Sequence, residues 1–281
     1  MSIEAPVREA LALSGMDLGH LDGAVVLSRA EGWPHRVEDW AFILSRSQGV
    51  VALEEGRVVA TAMATPFGPV ATMNMILVEA SLRGHGLGRR VMEKAMAQLS
   101  PREWRLVATQ EGLPLYTKLG FKPSGEVQQH QGIARAAPGG LPEVWAGEAE
   151  APVLAALDHA ATGMDRTLLI EALLRDGRVL MHRENGEVRA FAALRRFGRG
   201  EVAGPVVART EEEARAMLAT LLTLCAGRFL RVDIPDGTGL GAYLSEHGLV
   251  LVGSGVSMRR GVISPMSGEH CRFALASQAL G

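Results

Sequence analysis

Cysteine and aromatic residues are scarce in this 281-residue chain, and long apolar runs are missing. The two cysteines, Cys225 and Cys271, are too few for a disulfide framework and suit a reducing compartment, so a cytoplasmic protein is expected. Neither lies in a metal-ligand spacing. The eight histidines are scattered, and neither H-E-x-x-H nor C-x-x-C occurs, so no metal is expected. No window has the apolar length of a membrane span. The opening MSIEAPVREALAL carries acids early, with no basic region ahead of an apolar core, so neither a membrane segment nor a signal peptide is expected. A formal net charge of -2 gives no basis for bulk nucleic-acid binding. Aromatic residues make up 5%, and only two are tyrosines, Tyr116 and Tyr243.

What is present is a globular composition, 47% hydrophobic and 21% charged, at a length that suits two domains. The pattern is mixed α/β. VREALAL reads as an opening strand ending at Ser14-Gly15, and Asp17 starts a helical run through Leu27. A second helix is expected over Val37 to Arg46. VVALEEGRVVATAMAT is a hairpin around Glu55-Gly56, and VATMNMILVEA is a further strand. After it, Leu87, Val91, Met92, Ala95, Met96 and Leu99 fall on one face of a helix. WRLVAT is a strand, and LPLYTKLG is a short helix closed by Gly120.

AAPGGL at Ala136 to Leu141 reads as a linker, and beyond it the same order returns. A hairpin surrounds Asn185-Gly186. EVAGPVVA is strand-like, EEEARAMLATLLTL helical, FLRVDIP a strand, and AYLSEHGLVL a helix running into a strand. Gly56 and Gly186 stand 130 positions apart, Tyr116 and Tyr243 127, and Gly120 and Gly248 128. So constant an offset predicts a duplication, with domains over 1–137 and 143–262 and a tail over 263–281 lying outside both repeats.

The chemistry concentrates in LRGHGLGRR. A Walker A loop needs a lysine and a hydroxyl residue after its glycines, and neither is there. A dinucleotide fingerprint needs G-x-G-x-x-G after the first strand of a βαβ unit. Here Gly84, Gly86 and Gly88 alternate and follow antiparallel hairpins. What remains is Arg83-Gly84-His85-Gly86-Leu87-Gly88, an R-x-x-G-x-G turn into an amphipathic helix. Its glycines let backbone approach an anion, and the first helical N–H groups have no internal partner.

This turn resembles the cofactor loop of the GNAT superfamily of CoA-dependent N-acyltransferases, whose pattern Arg83, Gly86 and Gly88 match. LYTKLGF at Leu115 to Phe121 is similar to the Y-x-x-x-G-F element of that family. The resemblance covers about residues 5 to 135. It implies two GNAT-like domains, each a mixed, mostly antiparallel sheet flanked by helices, with acetyl-CoA as co-substrate. It further implies that the loop Arg83, Gly84, His85, Gly86, Leu87, Gly88 and Arg89 holds the pyrophosphate. The backbone of Ile76, Leu77 and Val78 would pair with the pantetheine arm. The Val78 N–H would steady the oxyanion, and Tyr116 would protonate the leaving thiolate.

The acceptor side is less defined. Trp33, His35 and Trp40 lie together in WPHRVEDW and are the expected pocket, although the tryptophans could equally cap the core. Asn74, Glu79 and His35 stay open as groups that handle the amine proton. In the second half, Arg83 maps near Glu211, in ARTEEEARAM. No glycines occur there, Thr210 with Glu213 is a capping-box pattern, and three glutamates would repel an anion. That half is expected to have lost its CoA site. Asp165 reads as an N-terminal helix charge. The implied function is N-acetylation of a small amine, with the second domain shaping the acceptor pocket or a homodimer contact. A non-catalytic acyl-CoA sensor is the alternative.

Overall fold

Two tight turns set the frame of each half. Glu55 and Gly56 take φ of +51° and +80°, and Asn185 and Gly186 take +53° and +85°. Both turns thus have the double positive φ that matches strand twist in a two-residue hairpin. They join β2 (Gln48–Glu54) to β3 (Arg57–Phe67) and β7 (Arg178–Glu184) to β8 (Glu187–Phe197), an offset of 130 residues at every boundary. The computed structural model describes residues 11–266 and 268–281. Residues 7–10 of the expected opening strand fall outside them. Of the remainder, only Leu13–Gly15 forms strand (β1), antiparallel to β2.

The first half continues with β4 (Val70–Val78), β5 (Glu103–Ala108) and β6 (Lys122–Ile133). The second half repeats these as β9 (Gly200–Ala208), β10 (Phe229–Pro235) and β11 (Val250–Gly261). Helices α1 (Leu21–Ala30), α2 (Val37–Leu44), α3 (Leu87–Met96) and α4 (Leu113–Lys118) recur as α5 (Ala151–Thr162), α6 (Thr167–Asp176), α7 (Glu211–Leu224) and α8 (Leu240–Glu246).

Each half supplies a mixed, mostly antiparallel sheet flanked by helices, and the two sheets are joined. Strand order is β1-β2-β3-β4-β5-β11-β6-β10-β9-β8-β7. The last strand of each half has therefore crossed to the other: β11 pairs with β5 and β6 pairs with β10, while β6 and β11 pair with each other. The crossing brings backbones together at two glycines. A Cβ on Gly132 would stand 2.1 Å from the Gly248 carbonyl oxygen, and one on Gly248 2.3 Å from that of Ile133.

On one face, α1, α2, α5 and α6 share a single core that includes Trp40, Met63 and Leu77 from the first half and Leu154, Phe191 and Val207 from the second. On the other face each half keeps its own core, α3 and α4 in the first and α7 and α8 in the second. The halves also clasp each other reciprocally. The Gly198 N–H, in the β8–β9 turn, donates to Asp39 of α2 (2.9 Å), and the Asp165 N–H, ahead of α6, donates to the Phe67 carbonyl at the β3–β4 turn (3.0 Å).

The end of the expected tail packs against the second half. Cys271–Ala274 forms β12, antiparallel to β9, and Ala274, Leu275, Ala276 and Leu280 are buried. Among the described residues this strand has no counterpart in the first half.

Candidate functional site

The two parallel strand pairs start alike and end differently. β4 and β5 pair only at Val70–Thr72 with Glu103–Arg105. Beyond Thr72, no described strand fills the gap between the remainder of β4 and that of β5. A bulge at Met75, with φ of +48°, breaks the β3–β4 register just there, and the Thr61 hydroxyl caps the Met75 carbonyl (2.7 Å). The Glu79 N–H donates to Val59 (2.9 Å), toward β3. Successive residues of a strand alternate sides, so the Val78 N–H faces the gap.

The Arg83–Gly88 turn closes over that end of β4. Gly84 and Gly86 have φ of +82° and +80°, a region that disfavours any side chain, and a Cβ on either would meet nothing within 4 Å. Gly86 caps α3 without a side-chain bond, and the first amide bond of the helix runs from the Arg90 N–H to the Gly86 carbonyl (3.1 Å). The N–H groups of Leu87, Gly88 and Arg89 therefore have no partner among the described residues. A Cβ on Gly88 would sit 3.4 Å from both Val78 and Leu115, so the bare helix end packs against β4 and α4 together. His85 is exposed.

The charges around the turn are less free than the sequence suggests. Arg83 donates from Nε to the Val78 carbonyl (2.9 Å) and pairs with Glu31. Arg89 pairs with Glu93 (2.7 Å), and Arg90 donates to the Leu11 carbonyl (2.7 Å). Backbone amides are the anion-binding groups left over.

Tyr116 is buried on α4 and stacks edge-on against Phe121, with ring centroids 6.4 Å apart. Its hydroxyl has no hydrogen-bond partner among the described residues, and burial pushes the phenol up to about 12, so it keeps its proton at neutral pH. Gly112 makes room for it: a Cβ there would lie 2.6 Å from the ring and 3.0 Å from the hydroxyl. Gly112 is a positioning residue that sequence reasoning missed. Its one trace is a glycine four positions ahead of a tyrosine.

Of the expected acceptor residues, Trp33, His35 and Trp40 come together, with ring centroids 5.6 Å apart for Trp33 and His35 and 6.5 Å for His35 and Trp40. Trp40 is fully buried and donates from Nε1 to Ser28 (3.4 Å), so its surface serves the core. His35 sits where the halves meet, edge-on to Phe197 (5.2 Å) and near Trp33 (5.6 Å). Burial, then Arg231, lower its imidazole to about 4 against the opposing pull of Asp39. It is neutral at pH 7, and its Nδ1 is buried without a partner. Glu79 pairs with Arg57 and accepts from Ser81 (2.8 Å). Asn74 is buried behind the gap. Its amide bonds the hydroxyls of Thr65 (2.8 Å) and Thr72 (3.2 Å), and its Oδ1 has no partner.

Among the described residues, the second half has no such glycine turn. Eight residues connect Val78 to Leu87, but only Arg209 and Thr210 connect Ala208 to Glu211. The glycine turn is deleted. Thr210 accepts from the Glu213 N–H (3.2 Å), and the Glu213 carboxylate accepts from the Arg209 N–H (2.9 Å). A side chain thus accepts from the third N–H group of that helix, as the sequence predicts. The gap itself is filled as well. β12 pairs with Val206–Ala208, which at the 130-residue offset correspond to Ile76–Val78, and the Leu275 N–H reaches the Asp233 carbonyl on β10 (2.8 Å). Tyr243, the counterpart of Tyr116, lies under the Arg215 guanidinium (5.1 Å). Asp165 bonds the amide and hydroxyl of Thr167 (3.2 and 2.8 Å), a local turn at the start of α6.

Among the described residues, no cluster of histidine, cysteine and carboxylate side chains could hold a metal, and no helix is long and apolar enough to cross a membrane.

Comparison with known proteins matches both halves. Residues 45–123 and residues 154–272 each match a family described as acetyltransferase (GNAT) domain. YitH of Bacillus subtilis, an uncharacterized N-acetyltransferase, is 26% identical over 273 residues, covering 93% of this chain and 95% of that protein. A putative acetyltransferase from Pyrococcus horikoshii superposes with a TM-score of 0.81 at 19% identity, over 100% of this chain and 99% of the other. A GCN5-related N-acetyltransferase from Sphaerobacter thermophilus superposes with a TM-score of 0.63 at 13% identity, over 92% and 98%. At these identities, the two structural likenesses speak for the fold alone.

Proposed function

Since the chain belongs to the GNAT acetyltransferase family, we propose that its first half is an acetyl-CoA-dependent N-acetyltransferase for a small or amino-acid-like amine. One observation carries the assignment to that half. Among the described residues, only there does a helix end with three unpartnered N–H groups stand over an open strand gap, with a protonated tyrosine beside it.

The cradle fits CoA. The N–H groups of Leu87, Gly88 and Arg89, with the α3 dipole behind them, would receive the pyrophosphate. The free edge of β4 at Ile76 to Val78 would take the pantetheine arm as an added strand. Bound acetyl-CoA supplies the thioester that carries the acetyl group. The Val78 N–H, directed into the gap, stabilises negative charge as it develops on the carbonyl oxygen. Tyr116 holds a proton at its hydroxyl for the departing sulfur, and burial keeps that proton in place across the physiological range. Asn74 Oδ1, an acceptor without a donor, orients the amine or a water that takes its proton.

The test is release of free thiol from acetyl-CoA against panels of amines, amino acids and peptides, run with the parent chain and Tyr116→Phe. The parent should turn over at least one class. The variant should keep its CoA affinity and lose roughly 100-fold in kcat. Full turnover by the variant would remove Tyr116 from the acid role. A parent that neither binds CoA nor releases thiol would remove the reading as a whole.

A further inference from the structure

A cavity of about 410 Å³ lies where the two halves and the tail meet. Its walls include Thr72, Arg105, Arg259, Arg272 and Gln278. Two of these belong to β4 and β5, the strands that part to form the gap. The cavity lies on the sheet face opposite α3. Arg105 donates to the Thr162 carbonyl at the end of α5 (2.7 Å), while its neighbours Trp104 and Leu106 pack under α3 and α4. It thus approaches the β4–β5 junction from the side away from the proposed CoA cradle.

Its charges do not balance. Arg105 and Arg259 share one carboxylate, Glu103, at 2.7 and 3.3 Å. Arg166, just behind, forks onto Asp158 and donates to the Leu280 carbonyl (3.1 Å). The Arg272 guanidinium has no hydrogen bond or ion pair among the described residues, and its Nε is buried. Four guanidiniums against two carboxylates leave an excess of two positive charges. An α-carboxylate at Gly281, which lies beside Arg166 and Arg272, would reduce the excess by one without abolishing it. Glu126 and Asp236 also line the cavity, but at its exposed rim, where water screens them. Burial, then Arg166 and Arg105, push the Arg272 guanidinium down to about 9, with Asp158 opposing and Arg259 adding to the fall. A half-buried guanidinium whose buried Nε has no partner is stabilised when a counter-charge arrives, and a planar fork suits a carboxylate or a phosphate.

We propose that this cavity binds the anionic group, carboxylate or phosphate, of the acceptor, with Arg272 as its fork and Arg105 and Arg259 beside it. The inference rests on the acetyltransferase reading and names the substrate class: an amine that also carries an acidic group. Held there, the acceptor lies against Thr72, next to Asn74 and the start of the gap.

The experiment is thermal melting and calorimetry of the full chain with succinate, inorganic phosphate and ethylenediamine, each at matched ionic strength in chloride. Saturable stabilisation by succinate or phosphate and none by ethylenediamine is expected, and the stronger anion identifies the group. Arg272→Gln should weaken that binding at least tenfold, leave CoA affinity unchanged, and melt no lower than the parent in chloride alone. An arginine with a merely structural role would instead lower the melting point. Should Arg272→Gln not fold, Arg259→Gln should weaken the response at least threefold. A parent that responds to neither anion, or variants that keep the full response, overturns the inference. Where CoA binds and neutral amines are acetylated but neither anion binds, the inference falls and the acetyltransferase reading stands. Where CoA does not bind, that reading falls whatever the anions do.

Discussion

Gly86 carries the cradle through its backbone, so its substitution separates binding from folding. Valine at φ of +80° costs roughly 1–2 kcal/mol of strain, yet its side chain would meet no neighbour within 4 Å. Gly86→Val should stay folded and lose CoA affinity at least tenfold by calorimetry, because the side chain occupies the space an anion needs. His35 makes a prediction about pH. Its native value of about 4 lies below the ordinary 6.5 because burial and Arg231 disfavour the charged form. Below pH 6.5 the unfolded chain takes up a proton that the folded chain refuses, so stability falls as pH drops from 6.5 toward 4 and is unaffected by this group above 6.5. Denaturant titrations should show the parent losing roughly 2 kcal/mol more than His35→Phe between pH 6.5 and 4.5. Equal losses would show that the imidazole is not buried as described.

At the scale of elements, the tail strand is the deciding feature. Gly204 has φ of +153°, and a Cβ on it would stand 1.9 Å from the Leu275 carbonyl oxygen. Leu275 and Leu280 are buried to within 1% of complete, each contributing about 2 kcal/mol. Gly204→Val should expel residues 271–281, seen as fast amide exchange at Leu275 and new protease cleavage in the tail. CoA affinity should persist, because the glycine turn and the start of α3 are untouched and β4 loses only the Thr72 hydroxyl's bond to the Ala279 carbonyl. A tail that stays protected in this variant would show that β9 can yield around the added side chain.

For the whole molecule, strand exchange makes the halves interdependent. Without β10 and β11, residues 1–140 leave one edge of β5 and both edges of β6 unpaired, which invites association. Expressed alone, that half should aggregate or self-associate, and co-expression with residues 141–281 should restore a 1:1 complex by size exclusion. A sharply melting monomer of 1–140 would contradict the exchange. CoA titration of the intact chain should give one site, since the second half has neither a glycine turn nor an open gap.

Much of this was legible in the residues. The 130-residue offset, the hairpins at Glu55-Gly56 and Asn185-Gly186, and the capping of α7 by Thr210 and Glu213 are set by neighbours within a few positions. So is the glycine turn at Arg83 to Gly88, because positive φ and an uncapped helix start are local properties. The sequence by itself therefore determined two acetyltransferase-like halves and which of them has a glycine turn at the start of its helix. Only the tertiary structure decided that β6 and β11 change places, that Cys271–Ala274 fills the second gap, and that Trp40 belongs to the core. The meeting of Arg105, Arg259 and Arg272 at one cavity was likewise decided there. Those outcomes depend on pairings between residues more than a hundred positions apart, where strand edges and buried charges compete for partners that no local pattern specifies.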